Sequence, residues 1–133
     1  MSAFIDKIAW IHIEGRRVLG ARSQGKDIFY LPGGKRDPGE TDAEALIREI
    51  QEELSVHIVP ATVALVGTFE AEAHGKSGGT PVRMTCYTAE YTGELQPDSE
   101  IAELSWLQYA DRDRVSPASQ LILEQLHASG QID

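Results

Sequence analysis

The stretch that decides the fold is Gly34-Lys35-Arg36-Asp37-Pro38-Gly39-Glu40 with, seven residues on, Arg48-Glu49-Ile50-Gln51-Glu52-Glu53-Leu54-Ser55-Val56. A glycine loop stands directly before a helix. Thr41-Asp42-Ala43-Glu44 reads as a capping box, which predicts a helix from Thr41 to about Leu54. On that helix Glu49 shares a face with Glu52 and Glu53, at spacings of three and four. Arg48 borders the face, while Ala43, Leu46, Ile47, Ile50 and Leu54 turn toward a core. Two carboxylates ~5.5 Å apart repel by ~3 kcal/mol at an effective dielectric of 20. Three on one face therefore call for a divalent cation, and oxygen donors of this kind suit magnesium or manganese. A dication beside a loop of free backbone amides is a site for phosphate chemistry.

Composition bounds the partners. The 133 residues make one domain, 1–133, with a single core. Acidic residues outnumber basic ones by 21 to 12, a formal charge of -9, which argues against nucleic acid or an anionic membrane surface as partner. A polyanionic substrate must then be gathered by metal and a few local cations. Cys86 is the single cysteine, so no internal disulfide is possible. Met1 to Lys7 lacks a basic segment followed by a long apolar stretch, and no run approaches the ~20 apolar residues that span a bilayer. The expectation is a soluble, cytoplasmic protein, with a homodimer left open.

Outward from the helix, strands are expected over Phe4 to Ile13, Val18 to Arg22, Ala61 to Phe69, Val82 to Tyr91 and Ile101 to Leu107, with a short apolar run at Ile28 to Leu31. Ala73 to Pro81 reads as a polar, glycine-rich, mobile loop. A second helix takes Ser116 as N-cap and Pro117 at its first position; Ala118, Leu121, Ile122 and Leu126 form its stripe and Gly130 ends it. The order β-β-β-α-β-β-β-α suggests a mixed sheet between helices, an α/β or α+β class.

Gly34, Glu40, Arg48, Glu49, Glu52 and Glu53 stand at fixed spacings with aliphatic Ile50 and Val56. This frame resembles the box of the Nudix hydrolases, which split nucleoside diphosphates linked to another moiety. Six specified positions at roughly 7% each would coincide in about one chain of this size in 10⁵. Leu31-Pro32-Gly33-Gly34-Lys35, the strand order and Trp106 extend the resemblance over the chain. One position departs: the pattern has glycine where this chain has Ser55, which reads as a small structural change at the helix end.

The resemblance implies an α/β/α sandwich with a mixed sheet and a loop-helix-loop motif. It implies Mg²⁺, with Mn²⁺ as the other choice, held by Glu52, Glu53, Glu49 and the Gly34 carbonyl, with Glu40 and Arg48 orienting them. A further ligand just before the last strand falls on Glu100 or Glu103, with Glu100 preferred. Lys35, Gly33, Gly34 and Arg22 stand where relatives contact phosphate, with Arg83 and Lys76 as weaker cations. Water made acidic by the metal would attack phosphorus, with Glu49 or Glu53 as base. His74 is set against solvent, Cys86, Trp10 and Trp106 against core, and Phe29 or Tyr30 is free to stack a base.

For substrate, the short chain looks most like the MutT-type members, giving a nucleoside monophosphate and pyrophosphate from a (d)NTP. The chain has no asparagine to read an oxidised purine, and Ser119 or Gln120 would have to substitute. Glu72 stands where an ADP-ribose enzyme shows proline, and no tyrosine suggests a dinucleoside polyphosphate. The alternatives are an ADP-ribose or other NDP-X pyrophosphatase and a nucleotide-sensing module without turnover. A prenyl diphosphate isomerase would need a longer chain and an active-site cysteine.

Overall fold

A computed structural model describes residues 4–72 and 80–133. Of the loop expected from Ala73 to Pro81, residues 73–79, with His74 and Lys76, lie outside the described residues, and Pro81 opens a strand. The elements are β1 (Ile5–Trp10), β2 (Ile13–Glu14), β3 (Arg17–Ser23), β4 (Gly33–Lys35), α1 (Asp42–Leu54), β5 (His57–Ile58), β6 (Ala64–Glu72), β7 (Pro81–Thr88), β8 (Tyr91–Thr92), β9 (Ile101–Leu107) and α2 (Pro117–Ala128), with 3₁₀ turns at Pro60–Thr62 and Tyr109–Arg114.

A four-stranded sheet runs β4-β1-β7-β6, and β1 pairs parallel with β7 while the outer pairings are antiparallel. A three-stranded sheet runs β2-β3-β9, and β5 pairs with β8. Alternation along β1 divides the interior between two cores. Ile8 and Trp10 join Leu46, Ile50 and Leu54 of α1, while Ala9 and Ile11 join Met84, Cys86 and Ile122, Leu123 and Leu126 of α2. The sheet is therefore sandwiched between the two helices, as expected. Among the described residues no helix is long and apolar enough to cross a membrane.

Both helix starts follow their caps. Thr41 accepts from the Glu44 amide and Glu44 reaches back to the Thr41 amide, the reciprocal box. Ser116 accepts from the Ser119 amide, with Pro117 at the first helical position. In α2 the stripe differs by one residue: Leu123 is buried and Leu121 is 38% exposed. Cys86 and Trp10 are fully buried, as expected of core residues.

Three other expectations change. The first strand breaks after Trp10 and resumes at Ile13 in the other sheet: the Ile11 amide makes the last bond to β7, at the Tyr87 carbonyl, and the carbonyl of the next residue, His12, accepts from Leu19 of β3. Ile28 to Leu31 makes only isolated bridges, Ala21 with Tyr30 and Phe29 with Val115. The glycine pair belongs to a short strand rather than a loop, with Gly33 opposite Ala9 and Gly34 opposite Ile8.

Candidate active site

The Gly33–Lys35 strand lays its backbone against both β1 and α1, and two glycines permit that approach. Gly33 has φ +146°, and a Cβ there would lie 2.0 Å from the Ile8 carbonyl oxygen. At Gly34 a Cβ would lie 2.5 Å from Oε2 of Glu49, so the bare backbone leaves room for that carboxylate. The Gly33 amide donates to Oε1 of Glu53 at 3.0 Å.

Arg48 gathers the acidic groups around it. Its guanidinium donates to both oxygens of Glu40, at 2.7 and 2.8 Å, to Glu49 at 2.9 Å and to the Lys35 carbonyl at 3.1 Å. It also pairs with Asp37 at 3.3 Å and Glu52 at 3.5 Å. One planar fork thus ties the loop before α1 to the helix itself. Glu40 additionally accepts from the Asp37 amide. The Arg48 hydrogen bonds and then this amide pull the Glu40 carboxyl down to about 2, and the Glu40 bond raises Arg48 in turn. Arg36 binds Asp42 and Asp6, and Tyr87 donates to Asp42, which fastens the loop to the sheet.

One turn along the helix the balance reverses. Glu53 is only 6% exposed. Burial, with Glu49 and Glu100 adding repulsion, pushes its carboxyl up to about 8, against the Gly33 amide and Lys7. Glu49 is raised as well, by burial first and then by Glu52 and Glu100, with Arg48 opposing. Glu49, Glu53 and Glu100 line one cavity of about 430 Å³. Gly33, Gly34, Lys35 and Lys7 line it too, and Ile5, Ile28, Tyr30, Val82, Met84 and Ala118 supply apolar wall.

Glu52 does not join this group. At about 100° of rotation per residue it stands about 60° from Glu49 and about 100° from Glu53. It lines a shallower depression on the outer flank of α1 with Glu44, Ile47, Arg48 and Gln51. The expected single face of three glutamates is thus a pair, Glu49 and Glu53, met by Glu100 from another loop. Among the described residues no three acidic or imidazole groups close into a metal-holding cluster as they stand. Hard oxygen donors line the cavity, Glu53 buried and Glu49 half-buried, and the bare backbone at Gly34 leaves a place beside Glu49. This donor set fits a hard divalent cation.

The other expected residues divide. Lys35 lines the cavity. Arg22 and Glu103, opposite each other across β3 and β9, bind one another at 2.8 Å, and Arg22 also donates to the Lys26 carbonyl; neither residue lines the cavity. Arg83 pairs with Glu70 at 3.1 Å. Tyr30 lines the cavity and hydrogen-bonds Ser23, whereas Phe29 is buried in the core. Ser119 is fully buried and the Gln120 amide donates to the Arg112 carbonyl; on α2 it is Ala118, with the cap Ser116, that faces the cavity. The sequence reading missed Lys7. Its ammonium lies 5.8 Å from the centroid of the Tyr30 ring. The signal was there: Ile5, Lys7, Ala9 and Ile11 alternate on one strand face, and a lone cation in an apolar phase marks a cavity wall.

Known proteins match this arrangement. The 8-oxo-dGDP phosphatase NUDT18 of Homo sapiens is 36% identical over 96 residues, 72% of this chain and 27% of that protein. The uncharacterized Nudix hydrolase YvcI of Bacillus subtilis is 31% identical over 90 residues, 68% of this chain and 57% of that protein. The chain thus spans about a quarter and just over half of the length of these relatives. The solution structure of the E. coli ORF135 protein superposes with a TM-score of 0.74 at 24% identity, covering 99% of this chain and 96% of that one, a likeness of fold. The NUDIX domain model matches residues 8–126, and the chain belongs to the Nudix family.

Proposed function

We propose that the 133-residue chain acts as one domain that hydrolyses the diphosphate linkage of a nucleoside diphosphate derivative, with a (d)NTP giving NMP and pyrophosphate as the preferred case. The observation that carries this reading is the buried Glu53, hydrogen-bonded to the Gly33 amide and sharing a cavity with Glu49 and Glu100. The human relative's name, an 8-oxo-dGDP phosphatase, supports a nucleotide with at least two phosphates.

Glu49, Glu53, Glu100 and the Gly34 carbonyl would hold Mg²⁺, or Mn²⁺ in its place, and Glu52 is the least committed of the four carboxylates. The ion supplies neutralisation of the diphosphate oxygens and a lowered pKa for water. Arg48 keeps Glu49 fixed while Glu40 and Asp37 keep Arg48 fixed, so the carboxylate is oriented before substrate arrives. Lys35 and Lys7, opposite one another across β4 and β1, bring positive charge to the same end of the cavity for phosphate oxygens. The apolar wall of Tyr30, Ile28, Val82 and Met84 receives the base or other moiety.

For the chemical step, Glu53 or Glu49 takes a proton from water as its oxygen attacks phosphorus. The bridging P–O bond breaks, and its electron pair leaves with the departing phosphate. A reducing, cytoplasmic setting suits the lone buried thiol of Cys86, which burial pushes up to about 12.

The test is a panel of nucleoside di- and triphosphates, ADP-ribose, dinucleoside polyphosphates and sugar nucleotides, incubated with magnesium and resolved into products. Cleavage at a phosphoanhydride in at least one of them is the expected result. Binding across the panel with no product under magnesium or manganese would replace the hydrolase by a nucleotide sensor.

A further inference from the structure

Ser55, the one residue that departs from the family frame, occupies the C-cap of α1 with φ 61° and ψ 27°, a left-handed conformation that glycine enters more readily. Its hydroxyl donates to Oδ2 of Asp98 at 2.8 Å. The chain around Asp98 answers with backbone bonds: the Asp98 amide donates to the Glu53 carbonyl at 2.9 Å and the Gln96 amide to the Leu54 carbonyl at 3.0 Å. Oδ1 of Asp98 accepts from the Ser99 amide at 2.7 Å, and Ser99 is itself left-handed, with φ 55°. Among the described residues three non-glycine residues have positive φ, and two of them are held by the two oxygens of this one carboxylate. The next residue is Glu100, which lines the cavity with Glu49 and Glu53.

We infer that the Ser55 hydroxyl and Asp98 form a tether that sets Glu100 against the end of α1, making Ser55 a positioning residue for the cation site. The inference rests on Glu100 as a ligand, as proposed above. The backbone bonds to Glu53 and Leu54 hold Asp98 near the helix whatever residue stands at 55. The side-chain bond does something separate, since it fixes the Asp98 carboxylate that in turn holds the Ser99 turn, and that turn directs Glu100 toward the cavity. Glycine at 55 would ease the helix end and free the turn at once. Backbone stability and cation affinity should therefore move in opposite directions, which a residue with a purely structural role would not do.

The experiment uses the full chain without substrate. Mn²⁺ affinity is read by electron paramagnetic resonance of the free ion, thermal midpoint by calorimetry, and amide exchange at Ser99 and Glu100 by NMR. S55G is expected to melt no lower than wild type, to bind Mn²⁺ about 10-fold more weakly and to exchange faster at both amides. S55N, which tolerates the left-handed region and keeps a donor, should bind as wild type does. S55G combined with D98A should be no weaker than D98A alone, because both cut the same tether. If E100Q weakens Mn²⁺ binding and S55G does not, the tether is refuted while Glu100 stands as a ligand. If E100Q binds as wild type does, Glu100 is no ligand, and the tether's role is overturned with it.

Discussion

Two glutamates of one loop-helix unit, Glu40 and Glu53, meet opposite surroundings. Glu40 accepts two hydrogen bonds from Arg48 and one from the Asp37 amide, and its carboxyl falls to about 2. Glu53 is buried beside Glu49 and Glu100, accepts one amide bond, and rises to about 8. The first carboxylate already has its cation within the protein. The second is held where water is scarce and negative charge is in excess, which is stable only with a proton or an added cation. The unit thus pairs a finished scaffold at its start with an unfinished charge balance at its end, and the proposed chemistry draws on the unfinished end.

The largest expected effect breaks that contrast at its centre. Glu53→Gln keeps the shape and an acceptor for the Gly33 amide but removes the charge. Magnesium-dependent turnover should fall by about 10²–10⁴-fold while the fold is retained. Near-normal turnover in steady-state assays, with an unchanged circular dichroism spectrum, would remove Glu53 from the mechanism.

Next comes the scaffold. Lysine in place of Arg48 offers one point charge for a fork that reaches Glu40, Glu49, Glu52 and Asp37. Turnover of R48K should drop by about 10–100-fold through misplacement of Glu49, with a lower thermal midpoint. Equal losses in kcat and kcat/KM would locate the defect in the chemical step, whereas a change in KM alone would assign Arg48 to substrate binding.

The contrast can be sharpened by pH in metal-free protein. Glu53 is raised in the folded state, so its contribution to stability is full below its unfolded value of about 4.5 and is lost as pH rises through about 8. Glu40 is lowered, so its contribution is present above about 4.5 and is lost as pH falls toward about 2. Melting in a chelator should therefore show a decline of several °C between about pH 4.5 and about pH 8 that Glu53→Gln abolishes. Glu40→Gln should instead flatten the acid limb. Coincident pH profiles for wild type and both variants would mean that the two sites are electrostatically alike.

Much of this was legible because it is local. The capping box at Thr41, the Ser116-Pro117 start of α2 and the spacing from Gly34 to Val56 are read over a few residues, and each appears in the fold. What was not legible depends on partners distant in the chain. Gly33–Lys35 is a strand only because β1 lies beside it, and Arg22 is committed only because the register of β3 on β9 sets it opposite Glu103. Ser55 looked like a tolerated exception because its partner, Asp98, is 43 residues away. Leu121 and Leu123 are both apolar, and only the placement of α2 against β6 and β7 decides that the second is buried.

The smallest expected effect tests the division of the helix face itself. Sequence spacing grouped Glu52 with Glu49 and Glu53, but the 100° or so between Glu52 and Glu53 turns it to the outer flank, where its side chain is 55% exposed and 3.5 Å from Arg48. An exposed pair of this length contributes on the order of 0–1 kcal/mol, and replacing its carboxylate leaves no buried charge behind. Glu52→Gln should therefore cost about 10-fold or less in turnover, well short of Glu53→Gln, with an unchanged thermal midpoint. A loss as deep as that of Glu53→Gln would mean that Glu52 swings into the cavity when metal binds, and the acidic face would then be three residues wide, as the spacing alone suggests.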